Sequence, residues 1–202
     1  MENPWNTALW MQFGAAIDVL EKALVACPDS LWRQRLWNVR SDGSVPPEFA
    51  EFWYQAYHAL FWLDLYLSGS REEEFAPPAP FTWVELDFPW VVPAQPYTRE
   101  ELHAYLATTR QKCHTTLTAL TDEQARRVVQ YPWAEGKSVS YFELQLYNMR
   151  HVQEHAAQLS LFLGQNGVPD EALEAVARAK GDAASNTTKQ ETEIQHANET
   201  TG

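Results

Sequence analysis

Apolar residues recur at helical spacing in four long stretches of this chain. In the first, from about Thr7 to Ala26, Leu9, Phe13, Ile17, Leu20 and Leu24 fall three or four residues apart and so share one helix face. Pro28 and Ser30 mark its end. The second stretch follows Pro46–Pro47 and runs to about Ser68 as EFAEFWYQAYHALFWLDLYLSG, with Gly69 as a natural stop. The third opens at Thr98, where Thr98 and Glu101 have the spacing of a capping box, and continues to about Leu120. The fourth opens with a second such box, Ser140–Glu143, and ends near Gly164–Gly167. Between the last two, LTDEQARRVVQYPWAEGK reads as a short helix capped by Thr121–Gln124, then a loop. The pattern predicts an all-α four-helix bundle.

Helices two and three are joined by SREEEFAPPAPFTWVELDFPWVVPAQPY, residues 70–97, rich in proline and aromatics. Such a long link in a compact domain has a functional or topological task. Extended, it covers roughly 95 Å, whereas a helix of 22 residues is about 33 Å long. It therefore suffices to return along the bundle and let helices two and three lie parallel. Its rings (Phe75, Phe81, Trp83, Phe88, Trp90) are expected to pack over one end of the bundle.

Composition adds one large core to this picture. Of 202 residues, 45% are hydrophobic, with nine Trp, nine Phe and eight Tyr. The reading assigns 1–168 to the bundle and 169–202 to a polar tail, largely disordered after about residue 181, where GDAASNTTKQETEIQHANETTG is poor in apolar side chains. The net charge is −12, of which about −8 belongs to the body, because seven acids and three bases follow Val168. That balance argues against nucleic acid or an anionic membrane as partner. No run of 18 apolar residues offers a membrane span. The N-terminus MENPWNTALW lacks the basic start and apolar run of a secretory signal. Cys27 and Cys113 are then expected to be free thiols in a cytoplasmic protein.

Candidate chemistry lies in helix four. His151 and His155 stand four residues apart on one face, and at about 100° per residue Leu144, Tyr147, Asn148, Gln158 and Phe162 all fall within about 60° of His151. The ends of that face are apolar, so it points inward. Buried polar groups need partners; the two imidazoles are either satisfied core histidines or ligands of one metal ion. Helix two favours the metal. His58 stands there on a core arc with Tyr54, Phe61, Trp62 and Leu65, and a third imidazole from a facing helix completes a His₃ set of the kind that holds catalytic zinc with a position open. No carboxylate is evident to close the site: Asp64 lies about 120° round its helix from His58, and Glu154 is at the rim of the histidine face. His103 and His114 are eleven residues apart on helix three, roughly 16 Å along the axis and off its apolar arc, and are expected at the surface. His196 lies in the tail. HVQEH matches the inverted zinc-protease pattern H-x-x-E-H, but Glu154 sits at the rim and little ordered chain follows to supply a further ligand.

With these residues in hand, the chain resembles the DinB-like superfamily of four-helix metalloproteins, the DinB and YfiT-like group, over about residues 5–168. The resemblance is most specific in SYFELQLYNMRHVQEHAAQLSLFLGQNGV, with His151, His155, Gln158–Leu159 and Gly167 in the family's pattern, and in YHALFWLDLYLSG, which puts His58 as first ligand. Ala156–Ala157 depart from the commoner Arg-Gly, and the long aromatic link is also unusual. The resemblance implies one divalent metal, zinc before nickel, iron or manganese, and relatives that use low-molecular-weight thiols.

The expected function is a divalent-metal-binding protein acting as a metal-dependent transferase with a low-molecular-weight thiol. The alternatives are a metal-dependent hydrolase and a non-catalytic, stress-associated metal or small-ligand binder. The metal ligands are His58, His151 and His155. The candidate substrate pocket is Tyr54, Trp62, Tyr147, Asn148 and Gln158. The expected partner is a small molecule, with a homodimer allowed and neither nucleic acid nor membrane involved.

Overall fold

The computed structural model describes residues 4–40, 43–69, 75–86, 91–130 and 137–180. Its helices are α1 (Pro4–Ala26), α2 (Phe52–Ser68), α3 (Arg99–Thr118), the short α4 (Asp122–Arg126) and α5 (Tyr141–Gln165). α1, α2, α3 and α5 form the predicted four-helix bundle. α1 packs against α3 and α5, and α2 against the same two, so α1 and α2 lie across the diagonal.

Side-chain contacts fix the directions. Phe52, His58, Leu63 and Leu67 of α2 meet, in turn, Phe162, the pair His151 and His155, Asn148, and Tyr141, so α2 and α5 are antiparallel. Tyr57 meets Tyr97, whereas Asp64 further along α2 meets Tyr105 and Lys112 of α3. α2 and α3 thus run parallel, as the length of the link permits.

The ends follow local chemistry. Thr98 and Thr121 close full capping boxes with Glu101 and Gln124. Ser140 Oγ accepts the Glu143 N–H at 3.1 Å. α2 stops at Gly69, whose φ is 57°; a Cβ there would sit 2.3 Å from the Arg127 guanidinium and 2.7 Å from the Tyr141 ring. The loop expected after α4 is instead a small antiparallel hairpin, β1 (Val128–Gln130) with β2 (Ser138–Ser140), pairing Val129 with Val139.

α2 is apolar over most of its circumference, with Gln55, His58 and Asp64 its polar side chains before Ser68, and every residue from Phe52 to Leu67 except His58 is buried. A helix of that kind needs cover on its outer side, and the link supplies it. Phe75 packs edge-on to Phe61, and Phe81 stacks on Tyr57 and on Tyr105, with ring centroids 6.0 and 4.3 Å apart. The link's rings therefore lie along the middle of α2 and over its seam with α3, rather than over one end of the bundle. Trp83 leans on Phe75 and stays partly exposed; Phe88 and Trp90 lie outside the described residues.

The chain beyond 168 does not leave the bundle at once. Residues 169–180 lie against α1: Ala179 N–H donates to Met11 O at 2.9 Å, and Lys180 N–H to Asp18 at 2.7 Å. Asp18 is fully buried and also accepts from Arg110 Nε at 3.1 Å. The tail expected to be disordered lies outside the described residues.

Candidate metal centre

The antiparallel pairing of α2 with α5 sets His58 opposite the two histidines of α5. One ligand atom from each of His58, His151 and His155 lies within 4.8 Å of the others, close enough to hold one metal ion. The ring centroids are 4.5–5.2 Å apart. Nε2 of His155 faces Nε2 of His151 at 3.2 Å.

The fourth member is Glu85, in the 3-10 turn Val84–Leu86 of the link. Its Oε2 accepts from His58 Nδ1 at 2.7 Å and from Trp62 Nε1 at 3.0 Å. That bond leaves His58 with Nε2 as its free nitrogen. Burial alone would push the Glu85 carboxyl up; electrostatic attraction to the His58 ring and hydrogen bonds from His58, Tyr54 and Trp62 outweigh it and hold the carboxyl below its ordinary range. A carboxylate behind a metal-ligating histidine fixes the tautomer and raises the basicity of the ring. Sequence reasoning found no such acid. The available signal was its setting in Trp83-Val84-Glu85-Leu86, an acid flanked on both sides by apolar residues.

His151 and His155 are held neutral. Burial, then the electrostatic influence of the neighbouring His58 ring, lowers them to about 2 and about 3. Their Nδ1 atoms are buried without hydrogen-bond partners, as are Glu85 Oε1, Asn148 Oδ1 and Gln158 Oε1. Neutral imidazoles aimed at one point, with a carboxylate behind one of them, are the donor set that fits a divalent ion such as zinc.

A cavity of about 310 Å³ opens from the solvent onto His58 and His151. Phe49, Trp62, Tyr66 and Tyr147 form its walls, with Glu85 beside them. Of the expected pocket residues, Trp62 and Tyr147 line it, whereas Tyr54, Asn148 and Gln158 do not. Tyr54 is buried; burial first, then the Glu85 charge, pushes its phenol up. Asn148 Nδ2 donates instead to Leu63 O at 3.2 Å and to Gln145 Oε1 at 3.3 Å. Asp64 binds Tyr105 and Lys112, and Glu154 is exposed. His103 and His114 stand apart from the triad as expected, but both are half-buried, and the His114 ring packs 4.7 Å from Trp10.

Searches of curated proteins and of solved structures found no match. A family model described as the DinB superfamily matches residues 12–159, from the third turn of α1 into the last turns of α5. That span contains Glu85 and all three histidines and covers most of the chain, which therefore belongs to the DinB superfamily.

Proposed function

We propose that this protein is a metal-dependent transferase that joins a low-molecular-weight thiol to a small, largely apolar electrophile. His58, His151 and His155 hold the metal, with zinc the best match to three imidazoles. When bound, a divalent ion of this kind supplies a Lewis acid that lowers the pKa of a thiol or water at its open position. Glu85 keeps His58 oriented through Nδ1, and the four aromatic walls bind the apolar substrate and exclude water from it.

The observation that carries the reading is a cavity that opens onto two of the three histidines and that, among the described residues, is lined by no cysteine, serine, threonine or lysine. On this reading the nucleophile comes from outside the protein. Neither cysteine substitutes for it: both are buried and free, and burial pushes the Cys27 thiol up to about 12 and Cys113 higher still. Two buried free thiols also support a cytoplasmic location. Among the described residues no helix is long and apolar enough to cross a membrane. With the acidic balance of the chain, the partner on this reading is a small molecule, not nucleic acid or lipid.

The test pairs elemental analysis of purified protein with turnover of a panel of small electrophiles, with and without added thiols. His58→Ala, His151→Ala and His155→Ala should each lose most of the metal and the activity. His103→Ala and His114→Ala should keep their metal. Ester hydrolysis without thiol would replace the transferase by a hydrolase. Inactivity of fully loaded protein across the panel would favour a binding protein.

A further inference from the structure

The centre's unpaired atoms sort into complementary kinds. Two are imidazole nitrogens, Nδ1 of His151 and Nδ1 of His155; three are acceptor oxygens, on Glu85, Asn148 and Gln158. A buried polar atom without a partner is costly, so such atoms rarely persist in a working site. Gln158 stands one turn after His155 on α5, where residues three apart are neighbours on the helix surface, and its buried Oε1 and the Nδ1 of His155 both lack a partner. The amide oxygen cannot donate.

We infer that Gln158 is a positioning residue: its Oε1 accepts the Nδ1–H of His155 and so fixes the tautomer that presents Nε2 to the metal. The proton inventory supports this. Nε2 of His151 and Nε2 of His155 face each other at 3.2 Å, so both are turned toward the point where one ion would sit. An acceptor oxygen at Nδ1 of His155 would place that ring's proton on Nδ1, away from this point. Its Nε2 then carries the lone pair. His58 is fixed in the same sense by Glu85. Two of the three ligands are thereby aimed before any ion arrives, one by an acid from the link and one by an amide from α5. Gln158 therefore acts from behind its ligand, which accounts for its absence from the cavity wall.

The inference rests on the metal-binding part of the proposed function, so its test has an arm that needs no metal. In ¹⁵N-labelled, metal-free protein, long-range ¹H–¹⁵N correlation should show His155 as the Nδ1–H tautomer. Gln158→Leu, close in size and lacking the acceptor, should shift that ring toward Nε2–H. In the second arm, competition with a chelator should show zinc binding weakened about 10–100-fold in Gln158→Leu. Gln158→Glu, which keeps an acceptor, should restore it. An Nε2–H tautomer at His155 in the wild-type protein would overturn the inference, and so would weakened zinc binding with the tautomer unchanged. Should wild-type protein take up no zinc, the proposed function fails, and the tautomer arm alone decides the role of Gln158.

Discussion

His151 and His155 remain neutral far below the pH at which a free imidazole gains its proton, and this couples the site to folding. The unfolded chain takes up both protons near pH 6.5, whereas the folded protein resists until about pH 3 and about pH 2. Both folded values are depressed, so the associated stability is present above about pH 6.5 and is lost progressively as pH falls through that window. Thermal melts of metal-free protein should therefore drop between pH 6.5 and 5, above the range where carboxylates dominate. A His151→Gln/His155→Gln double variant should flatten that slope. Equal slopes in the two proteins would show that the rings are not held neutral by burial. The positions of these rings were legible from spacing alone, because i and i+4 share a helix face whatever the rest of the chain does. Glu85 was not. Its neighbours in sequence give no period, and its burial is decided by what the link meets.

At the scale of elements, the long helices and their ends could be read because periodicity, capping residues and Gly69 act within a few residues. The pairing of β1 with β2 could not. Three-residue strands carry too little alternation, and their register depends on a partner about ten residues away. The seating of the link was likewise hidden, although an α2 apolar over most of its circumference shows that something must cover it. Phe81 bears much of that role, 7% exposed and within 6.0 Å of the Tyr57, Tyr97 and Tyr105 rings. Phe81→Ala should cost about 3–5 kcal/mol in denaturant unfolding. A cost below about 1 kcal/mol would mean that the link lies on the bundle without stabilising it.

The whole molecule includes residues 169–180 as a strap along α1. Gln12, Lys22, Asp18 and Arg110 all bond to it, the first two through Ala177 O and Glu174 O. Its sequence gave little sign of this, since backbone groups make most of these bonds and only Ala179 is buried. Gly14 sets the approach: a Cβ there would lie 2.6 Å from Ala179 Cβ and 3.0 Å from the Trp10 ring. Gly14→Ala should release the strap. Hydrogen exchange at Ala179 and Lys180 should rise severalfold while metal content stays unchanged. Unaltered exchange would show that the strap yields without detaching.

The diagonal placement of α1 and α2 has a consequence for synthesis. Neighbouring helices in sequence do not become neighbours in space here, so the bundle forms largely through contacts between distant parts of the chain, which slows folding relative to helical proteins built on local pairs. α2, apolar over most of its circumference, emerges second and meets α5 only after Gln165 has been made. At roughly 5–20 residues per second that interval is on the order of 5–20 s. The segment that covers α2 in the folded protein, from Phe75 to Leu86, is also the next apolar stretch to be made after it.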